Sequence, residues 1–279
     1  MRSIAIINQK GGVGKTTTAV NLSAALAASG VRVGLIDLDP QAHASLHFGL
    51  GPQRELPNTY ELLTGDAKLN DVWQSVEPNL WVAPSHIDLA AAEVELAGVV
   101  ARELILRDAL AESGAAEKFD LVLMDCPPSL GVLTINALSA VDDVFLPLQP
   151  HFLALHGLSK LLQTIDLVHR RLNDRLRLAG VVLCLYDAST RLAAEISADV
   201  AAYFAEGADR QPWLSGRLFA SRIRRNIRLA EAPSFEQSIF KYAPQSAGAE
   251  DYRALADEVL ALYGLQAPPM PLPLLPQAA

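Results

Sequence analysis

The chain has 279 residues, of which 51% are hydrophobic and 19% are charged, and this excludes both a disulfide-stapled miniature fold and a disordered chain. The formal net charge of −8 argues against a protein coated in basic charge for nucleic acid. Only two cysteines occur, too few for a disulfide framework, and no stretch resembles a signal peptide or a membrane span. We therefore expect a cytoplasmic protein with no membrane contact.

Short apolar runs alternate along the chain with longer stretches of helical spacing. The runs are continuous, which is typical of strands buried on both faces, and they occupy residues 3–7, 31–36, 80–83, 121–124, 144–147 and 180–185. Helical spacing occupies residues 15–29, 87–112, 129–140, 155–172 and 193–205. The alternation predicts one α/β domain over residues 1–265, with a single doubly wound, mostly parallel sheet and helices on both faces.

A glycine-rich loop, Gln-Lys-Gly-Gly-Val-Gly-Lys-Thr-Thr-Thr at residues 9–18, joins the first predicted strand to the first predicted helix. This is the context of a phosphate-binding loop, in which backbone N–H groups and a helix N-terminus surround nucleotide phosphates. We expect Lys15 to reach the β- and γ-phosphates and the Thr16 hydroxyl to bind Mg²⁺. The usual motif begins with glycine where this chain has Gln9. The residues predicted to bind the nucleotide phosphates are Gly11, Gly12, Val13, Gly14, Lys15, Thr16 and Thr17.

Aspartates follow two of the predicted strands. Asp37 and Asp39 end the second strand within Asp-Leu-Asp-Pro-Gln, and Asp125 ends the fourth. Parallel sheets bind ligands at the carboxyl ends of their strands, and carboxylates there suit Mg²⁺. Asp39 also fits a second role, because an aspartate directly before Pro40 is typical of a helix N-cap followed by proline.

The loop and the aspartates together resemble a known family. Lys-Gly-Gly-Val-Gly-Lys-Thr-Thr at residues 10–17 is similar to the deviant Walker A motif of the ParA/MinD superfamily of dimerising ATPases. Further segments at residues 125–138, 147–149, 154–158 and 229–234 resemble chromosomal ParA proteins of the Soj type. The similarity extends over about residues 2–264.

The resemblance implies ATP and Mg²⁺ as ligands and assigns roles to individual residues. Lys10 is the position that, in this family, reaches the nucleotide of the partner subunit, and it is catalytic together with Lys15 and Asp39. Asp39 orients the attacking water, and Asp125 corresponds to the Walker B aspartate. The implied metal shell is Thr16, Asp37 and Asp125. An ATP-bound homodimer is expected to bind nucleoid DNA non-specifically until a ParB-like activator protein stimulates hydrolysis.

Although the net charge of the chain is negative, one segment is basic. Residues 210–228 contain six arginines and no Asp or Glu. Arg222, Arg225 and Arg228 are spaced by three, so they share a face if the segment is helical. A row of guanidinium groups without nearby acids suits sequence-independent contact with phosphates. With the resemblance, this predicts DNA contact through Arg222, Arg224, Arg225 and Arg228, with Arg191 and Lys241 as weaker candidates. A solvated face paired with distant acids is the alternative.

Other interpretations remain open at this level. The chain departs from the family pattern at residues 42–45, 187–190, His151 and His156, so a ParA-like ATPase that positions a protein cargo is an alternative to DNA partitioning. A MinD-like membrane-cycling factor and a nucleotide scaffold without useful hydrolysis are further alternatives. His43 and His47 have the spacing of zinc ligands but no third ligand, and Cys126 has no cysteine partner for an iron–sulfur site.

The last fourteen residues differ from the rest of the chain. Residues 266–279 contain five prolines and no charged side chain. Proline removes backbone donors and fixes φ, so we predict a disordered tail rather than a helix. A proline-rich docking segment is the alternative.

Overall fold

The computed structural model describes residues 1–51, 56–151, 158–210, 212–214 and 216–265. Its strands are β1 (Arg2–Ile6), β2 (Val33–Asp37), β3 (Gln74–Glu77), β4 (Leu80–Ala83), β5 (Leu121–Asp125), β6 (Asp143–Leu148), β7 (Arg177–Tyr186) and β8 (Arg217–Arg224). They form one sheet with the order β3-β4-β2-β5-β1-β6-β7-β8. All neighbouring strands are parallel except β3 and β4, which pair antiparallel at one edge.

The helices connect these strands. They are α1 (Lys15–Ala28), α2 (His43–Leu46), α3 (Thr59–Thr64), α4 (Leu69–Val72), α5 (Leu89–Glu95), α6 (Ile105–Glu112), α7 (Ala115–Lys118), α8 (Val132–Ala140), α9 (Leu158–Arg171), α10 (Arg191–Arg210), α11 (Ile227–Glu231), α12 (Ile239–Tyr242) and α13 (Ala247–Tyr263). Short 3₁₀ turns lie at Leu96–Gly98, Arg102–Leu104, Pro212–Leu214 and Ala232–Phe235.

Two hydrophobic clusters show that both faces of the sheet are covered. Along β1, Ile4 and Ile6 belong to the cluster that includes α1 and α13, whereas Ala5 belongs to the cluster that includes α5, α6, α8 and α9. Successive side chains of a strand point to opposite faces, so the two clusters lie on opposite sides. Every residue of β2, β5 and β6 is buried, as expected for strands covered on both faces. The predicted doubly wound α/β fold is therefore confirmed.

The predicted helix over residues 87–112 is wrong as a single element. It is divided into α5, two 3₁₀ turns and α6, with an extended residue at Val99 and a left-handed one at Ala101 (φ 58°). Both helical pieces bury apolar residues in the same cluster, so the apolar pattern extends over both pieces although the helix does not. Val100, at the break, is 92% exposed, which the apolar pattern gave no reason to expect.

The condition under which Arg222, Arg225 and Arg228 would share a helix face is not met, because residues 217–224 form strand β8. The pairing of β7 with β8 shifts register between Val181 and Leu183, so four residues of β8 span two of β7. This bulge separates the two buried apolar residues of β8, Phe219 and Ile223, by four positions. A spacing of four fits a helix as well as a strand, so the apolar spacing alone does not identify β8.

Several elements have no counterpart in the sequence prediction, namely strands β3 and β8, the short helices α2, α3, α4, α7, α11 and α12, and helix α13. Strand β3 is short and only partly buried. Helix α13 buries Tyr252, Leu255, Ala256 and Val259, a spacing that does indicate a helix and was available in the sequence. Among the residues that the structure describes, no helix is both long and apolar enough to cross a membrane. The predicted tail at residues 266–279 lies outside the described residues.

Candidate nucleotide-binding site

The phosphate loop follows the carboxyl end of β1, in the middle of the sheet. Gly12 (φ 72°) and Gly14 (φ 93°) adopt left-handed backbone conformations, and Gly14 is the residue that precedes α1. A side chain at Gly14 would also lie only 3.4 Å from the Cβ of Cys184. Glycine is required at these positions because a Cβ disfavours this conformation, and the loop amides can then face an anion.

Asn8 fixes the start of the loop. Its side-chain amide donates to the carbonyl of Pro147 at 2.7 Å, which ties the end of β1 to the end of β6. Its Oδ1 accepts a hydrogen bond from the backbone N–H of Lys10 at 3.0 Å. Asn8 belongs to no motif that assigns it a role in the sequence, although it is the last residue before the glycine-rich segment.

Lys15 is buried, with 7% of its surface exposed, although lysine is rarely buried. Its Nζ donates to the backbone carbonyl of Lys10 at 3.2 Å, across the loop. Burial lowers the pKa of Lys15, while the carboxylates of Asp125 and Asp39 oppose that effect. A buried cation beside two carboxylates and a row of loop amides is the arrangement expected of a phosphate ligand.

Asp125 carries the strongest evidence for a bound cation. It is fully buried, and neither of its carboxylate oxygens meets hydrogen-bond criteria with a described residue, although the Thr16 hydroxyl lies near enough to lower its pKa. Burial, followed by the charge of Asp37, raises the pKa of Asp125 well above its usual range, against smaller effects from Thr16 and Lys15. Buried carboxylates are normally paired, so two unpartnered oxygens mark a place for Mg²⁺.

Asp37 lies directly beside Asp125, because the two residues are register partners on β2 and β5. Its Oδ2 accepts hydrogen bonds from the backbone N–H and the hydroxyl of Ser45, at 2.8 and 2.7 Å. Its Oδ1 accepts the backbone N–H of Asp39 at 3.1 Å. Burial raises the pKa of Asp37 to about 6. These contacts make Asp37 a positioning residue for the Asp39 loop, and its place in the metal shell stays a prediction.

Asp39 is half-buried, and its Oδ1 accepts a hydrogen bond from the backbone N–H of Gln41 at 3.0 Å. The alternative interpretation of Asp39 as a helix N-cap is wrong, because α2 begins at His43 with Ala42 as its cap. Asp39 therefore lies in a turn at the mouth of the site, and its charge acts on both Lys15 and Asp125.

Lys10 is exposed at the rim of the loop. Its Nζ lies 2.7 Å from Nε2 of His151, a residue just after β6. Burial, followed by the charge of Lys10, lowers the pKa of His151, which favours the neutral ring that can accept from an ammonium group. His151 was noted in the sequence only as a departure from the family pattern, and His156 lies outside the described residues.

A cavity of about 120 Å³ adjoins the phosphate loop at Gly14 and Thr17. Its other walls come from the ends of β7 and β8, from α11 with its cap residue, and from α13, namely Cys184, Leu185, Ile223, Arg224, Asn226, Leu229, Ala230 and Tyr252. Leu185 has a left-handed backbone (φ 52°), which is rare for leucine and marks a constrained position. These residues were not predicted from the sequence, because no motif joins them. A larger cavity of about 410 Å³, between α3–α4 and α6, contains none of the predicted site residues.

The predicted DNA-binding arginines do not form an acid-free row. The guanidinium of Arg224 binds Asp251 at 2.7 Å and Glu250 at 3.1 Å, and that of Arg228 binds Glu231 at 2.8 Å. Arg222 is half-buried, with its guanidinium hydrogen-bonded to backbone carbonyls of β8 and placed over the Tyr186 ring. Arg225 is exposed and forms no ion pair within 4 Å to a described residue. DNA contact by these arginines stays a prediction.

The weaker candidates are also located. Lys241 pairs with Glu77 at 3.0 Å, and Arg191 is exposed at the start of α10. The Nδ1 of His47 lies 2.8 Å from the carbonyl of His43, and no group of three His, Cys, Asp or Glu side chains within the described ranges can hold a metal. Cys126 is fully buried beside Asp125, where burial raises the pKa of its thiol.

Comparison with known proteins agrees with this geometry. A family model described as an AAA domain matches residues 1–178. The chain is 44% identical over 261 residues to the chromosome partitioning protein ParA of Caulobacter vibrioides, covering 93% of this chain and 94% of that protein. It is 45% identical over 261 residues to the chromosome-partitioning ATPase Soj of Thermus thermophilus, covering 94% and 96%.

A solved structure from Mycobacterium smegmatis shares the fold with a TM-score of 0.78 and 37% sequence identity, covering 95% of this chain and 96% of that one. It is named cobyrinic acid a,c-diamide synthase, and it holds an ATP analogue and magnesium. The residues gathered at the carboxyl edge of this sheet are thus found in a fold known to bind a nucleotide with its metal.

Proposed function

Because the chain belongs to the ParA/Soj family of chromosome-partitioning ATPases, we propose that it uses ATP with Mg²⁺ to partition DNA in the cell. The observation that carries this proposal is the convergence of Lys15, Asp39 and Asp125 at one edge of the sheet, with both oxygens of Asp125 unpartnered. The partitioning relatives are more similar to the chain than the synthase structure is, so their function is the one proposed.

The residues at this edge fit a magnesium nucleotide. Thr16 and Asp125 would hold Mg²⁺, directly or through water, and the metal would neutralise charge on the phosphates. Gly12 and Gly14 turn loop amides toward the phosphates, and the cavity beside Gly14 would accept the base. The absence of a three-ligand cluster among the described residues agrees with this, because Mg²⁺ usually takes one or two carboxylates and completes its shell from phosphates and water.

Hydrolysis then consists of water attacking the γ-phosphate. Asp39, at the mouth of the site, orients that water and is free of any ion pair with a described residue. Lys15 moves its Nζ from the Lys10 carbonyl to the phosphates and stabilises charge that develops in the transition state. Asp37 holds the Asp39 loop in place through its hydrogen bond to the Asp39 N–H.

Dimer formation gives the proposed cycle its switch. The exposed Lys10 leaves His151 and contacts the nucleotide of the partner subunit, so that ATP closes a sandwich of two copies. A dimer presents two copies of each exposed arginine, which favours DNA binding because electrostatic contacts to phosphate add. A partner protein of the ParB type stimulates hydrolysis and releases the DNA, and the protein therefore associates with the nucleoid.

A DNA-binding titration tests the switch. Labelled duplex DNA is titrated with the protein and Mg·ATP or Mg·ADP over a series of salt concentrations. We expect tighter binding with ATP, falling steeply as salt rises. Equal affinities with the two nucleotides would contradict the switch, and no binding at low salt would favour a protein cargo instead of DNA.

The dimer is tested with Lys10→Ala. Its matched control is Lys160→Ala, because Lys160 is also an exposed lysine and forms no hydrogen bond or ion pair with a described residue of the loop. We expect Lys10→Ala to stay monomeric with ATP in sedimentation while the control dimerises. A Lys10→Ala protein that dimerised and hydrolysed ATP at the wild-type rate would exclude the sandwich.

A further inference from the structure

A second cluster of charges lies at the opposite edge of the sheet from the phosphate loop. Arg2, Asp143, Arg177 and Arg217 are the first residues of β1, β6, β7 and β8, which are four adjacent strands. Because these strands are parallel, their first residues meet at the amino-terminal edge. Strand β1 has five residues, which places this edge about 17 Å from the loop that follows β1.

The cluster encloses a cavity of about 270 Å³ that is lined by the three arginines, Asp143, Ala179, Leu262 and Tyr263. Tyr263 comes from the last turn of α13 and donates its hydroxyl to Oδ2 of Asp143 at 3.0 Å. The Arg2 guanidinium lies over the Tyr263 ring, 5.8 Å from its centroid. The floor is thus the buried carboxylate of Asp143 and the half-buried ring of Tyr263, and the exposed guanidinium groups stand around it.

The charges of the pocket do not balance. Asp143 is 3.8 Å from Arg177, a long ion pair, and it is the only carboxylate in the lining. Arg217 forms no ion pair or side-chain hydrogen bond with any residue in the described ranges. The neighbouring Asp142 accepts hydrogen bonds from Ser3 at 3.1 and 2.9 Å and lies 3.8 Å from Arg175. Three guanidinium groups therefore face one carboxylate, leaving two uncompensated positive charges.

We propose that this arginine pocket binds a phosphate group, at a site separate from the phosphate loop. A phosphate monoester carries close to two negative charges, and two neighbouring phosphodiesters of DNA carry two between them, so either matches the excess. A guanidinium group is planar and can donate two parallel hydrogen bonds to two oxygens of one phosphate. This geometry suits a phosphate better than a single halide ion. The pocket volume suits a mono- or diphosphate group better than a complete nucleotide. The phosphate comes from a small soluble phosphate or from the backbone of DNA.

The experiment uses the full chain, saturated with Mg·ADP so that the phosphate loop is occupied. One arm titrates inorganic pyrophosphate by calorimetry, and the other titrates labelled duplex DNA by fluorescence anisotropy. The variant Arg217→Gln removes an exposed cation, and Arg2→Gln provides a second test on another strand. Arg170→Gln is the matched control, because Arg170 is an exposed arginine on α9 that pairs only with Asp166.

We expect Arg217→Gln and Arg2→Gln to weaken binding in one arm about tenfold, with Arg170→Gln unchanged. A loss confined to pyrophosphate identifies a small phosphate as the ligand, and a loss confined to DNA identifies the phosphate backbone. Unchanged affinity in both arms would overturn the proposal. The ATP hydrolysis rate without DNA is expected to stay at the wild-type value in all three variants, so failure of the pocket and failure of the ATPase are distinguishable.

Discussion

The carboxyl edge of the sheet and the basic segment at residues 210–228 handle charge in opposite ways. At the carboxyl edge, Asp125 is buried without a hydrogen-bond partner in the described part of the chain, and Lys15 is buried beside it. In the basic segment, Arg224 is exposed but bound by Asp251, which α13 supplies 27 residues later. Unsatisfied buried charge is costly, so it marks a ligand site, whereas a charge that already has an ion-pair partner within the protein needs no ligand. An acid-free stretch of sequence is therefore weak evidence for a free basic surface.

The largest expected effect is at the carboxyl edge. Replacing Lys15 with alanine removes the buried ammonium that faces the phosphates, and we expect ATP hydrolysis to fall by about 10²- to 10³-fold. Steady-state phosphate release measures it, with Lys160→Ala as the control. If the two variants hydrolysed ATP at the same rate, the buried ammonium group of Lys15 would have no part in hydrolysis. The contrast between the carboxyl edge and the basic segment would then be wrong.

Asp125→Asn is expected to separate function from stability. Hydrolysis should fall by about 10- to 100-fold because a metal position is lost. Burial raises the pKa of Asp125, so the wild type without nucleotide loses stability as pH rises through that pKa, and the neutral asparagine does not. We therefore expect Asp125→Asn to have a higher Tm than the wild type at neutral pH when nucleotide is absent.

Its control is Asp108→Asn, since Asp108 is exposed on α6 and paired with the adjacent Arg107. That variant should change neither Tm nor hydrolysis measurably. A lower Tm for Asp125→Asn would show that the carboxylate has a stabilising partner within the protein.

Arg224 and Arg225 test the contrast within the basic segment itself. Arg224→Ala leaves the largely buried Asp251 without its partner, so we expect the free energy of unfolding to fall by about 2 kcal/mol in urea titrations. Arg225→Ala should leave stability unchanged and weaken DNA binding uniformly across sequences, with the salt slope reduced by about one. If Arg225→Ala destabilised the protein and Arg224→Ala did not, the assignment of paired and unpaired arginines would be reversed.

The smallest effect concerns the bulge in β8. The two carboxylate oxygens of Glu258 accept the backbone N–H groups of Ala220 and Ser221, at 2.8 and 2.6 Å. Glu258→Gln removes the charge and one acceptor, and we expect a loss of about 1 kcal/mol of unfolding free energy. Asp257→Asn, at the exposed neighbouring position of α13, is the matched control and should have no effect.

Local constraints account for what the sequence predicted correctly. The glycines and lysines of the phosphate loop lie within a segment of about ten residues, and their roles depend on the backbone conformation of that segment alone. The loop follows a strand and precedes a helix, as expected. The meeting of Asp37 with Asp125 follows from the rule that parallel strands end at one edge.

What the sequence did not predict depends on distant parts of the chain. The conformation of β8 is set by its pairing with β7 and by Glu258 of α13, while its own apolar spacing imitates a helix. The pairing of Arg224 with Asp251 requires knowledge of where α13 packs. The arginine pocket brings together residues 2, 143, 177 and 217, a set that strand order alone defines.

The hydrogen bond from Lys15 to the carbonyl of Lys10 has a consequence for affinity. It closes the loop with an internal donor, so the backbone is already ordered when a phosphate arrives. Ordering one residue costs about 1 kcal/mol or more in conformational entropy, and this loop meets that cost during folding rather than during binding. Nucleotide binding then exchanges one acceptor of the Lys15 ammonium group for another while the loop backbone keeps its conformation, which favours rapid association without a slow loop rearrangement.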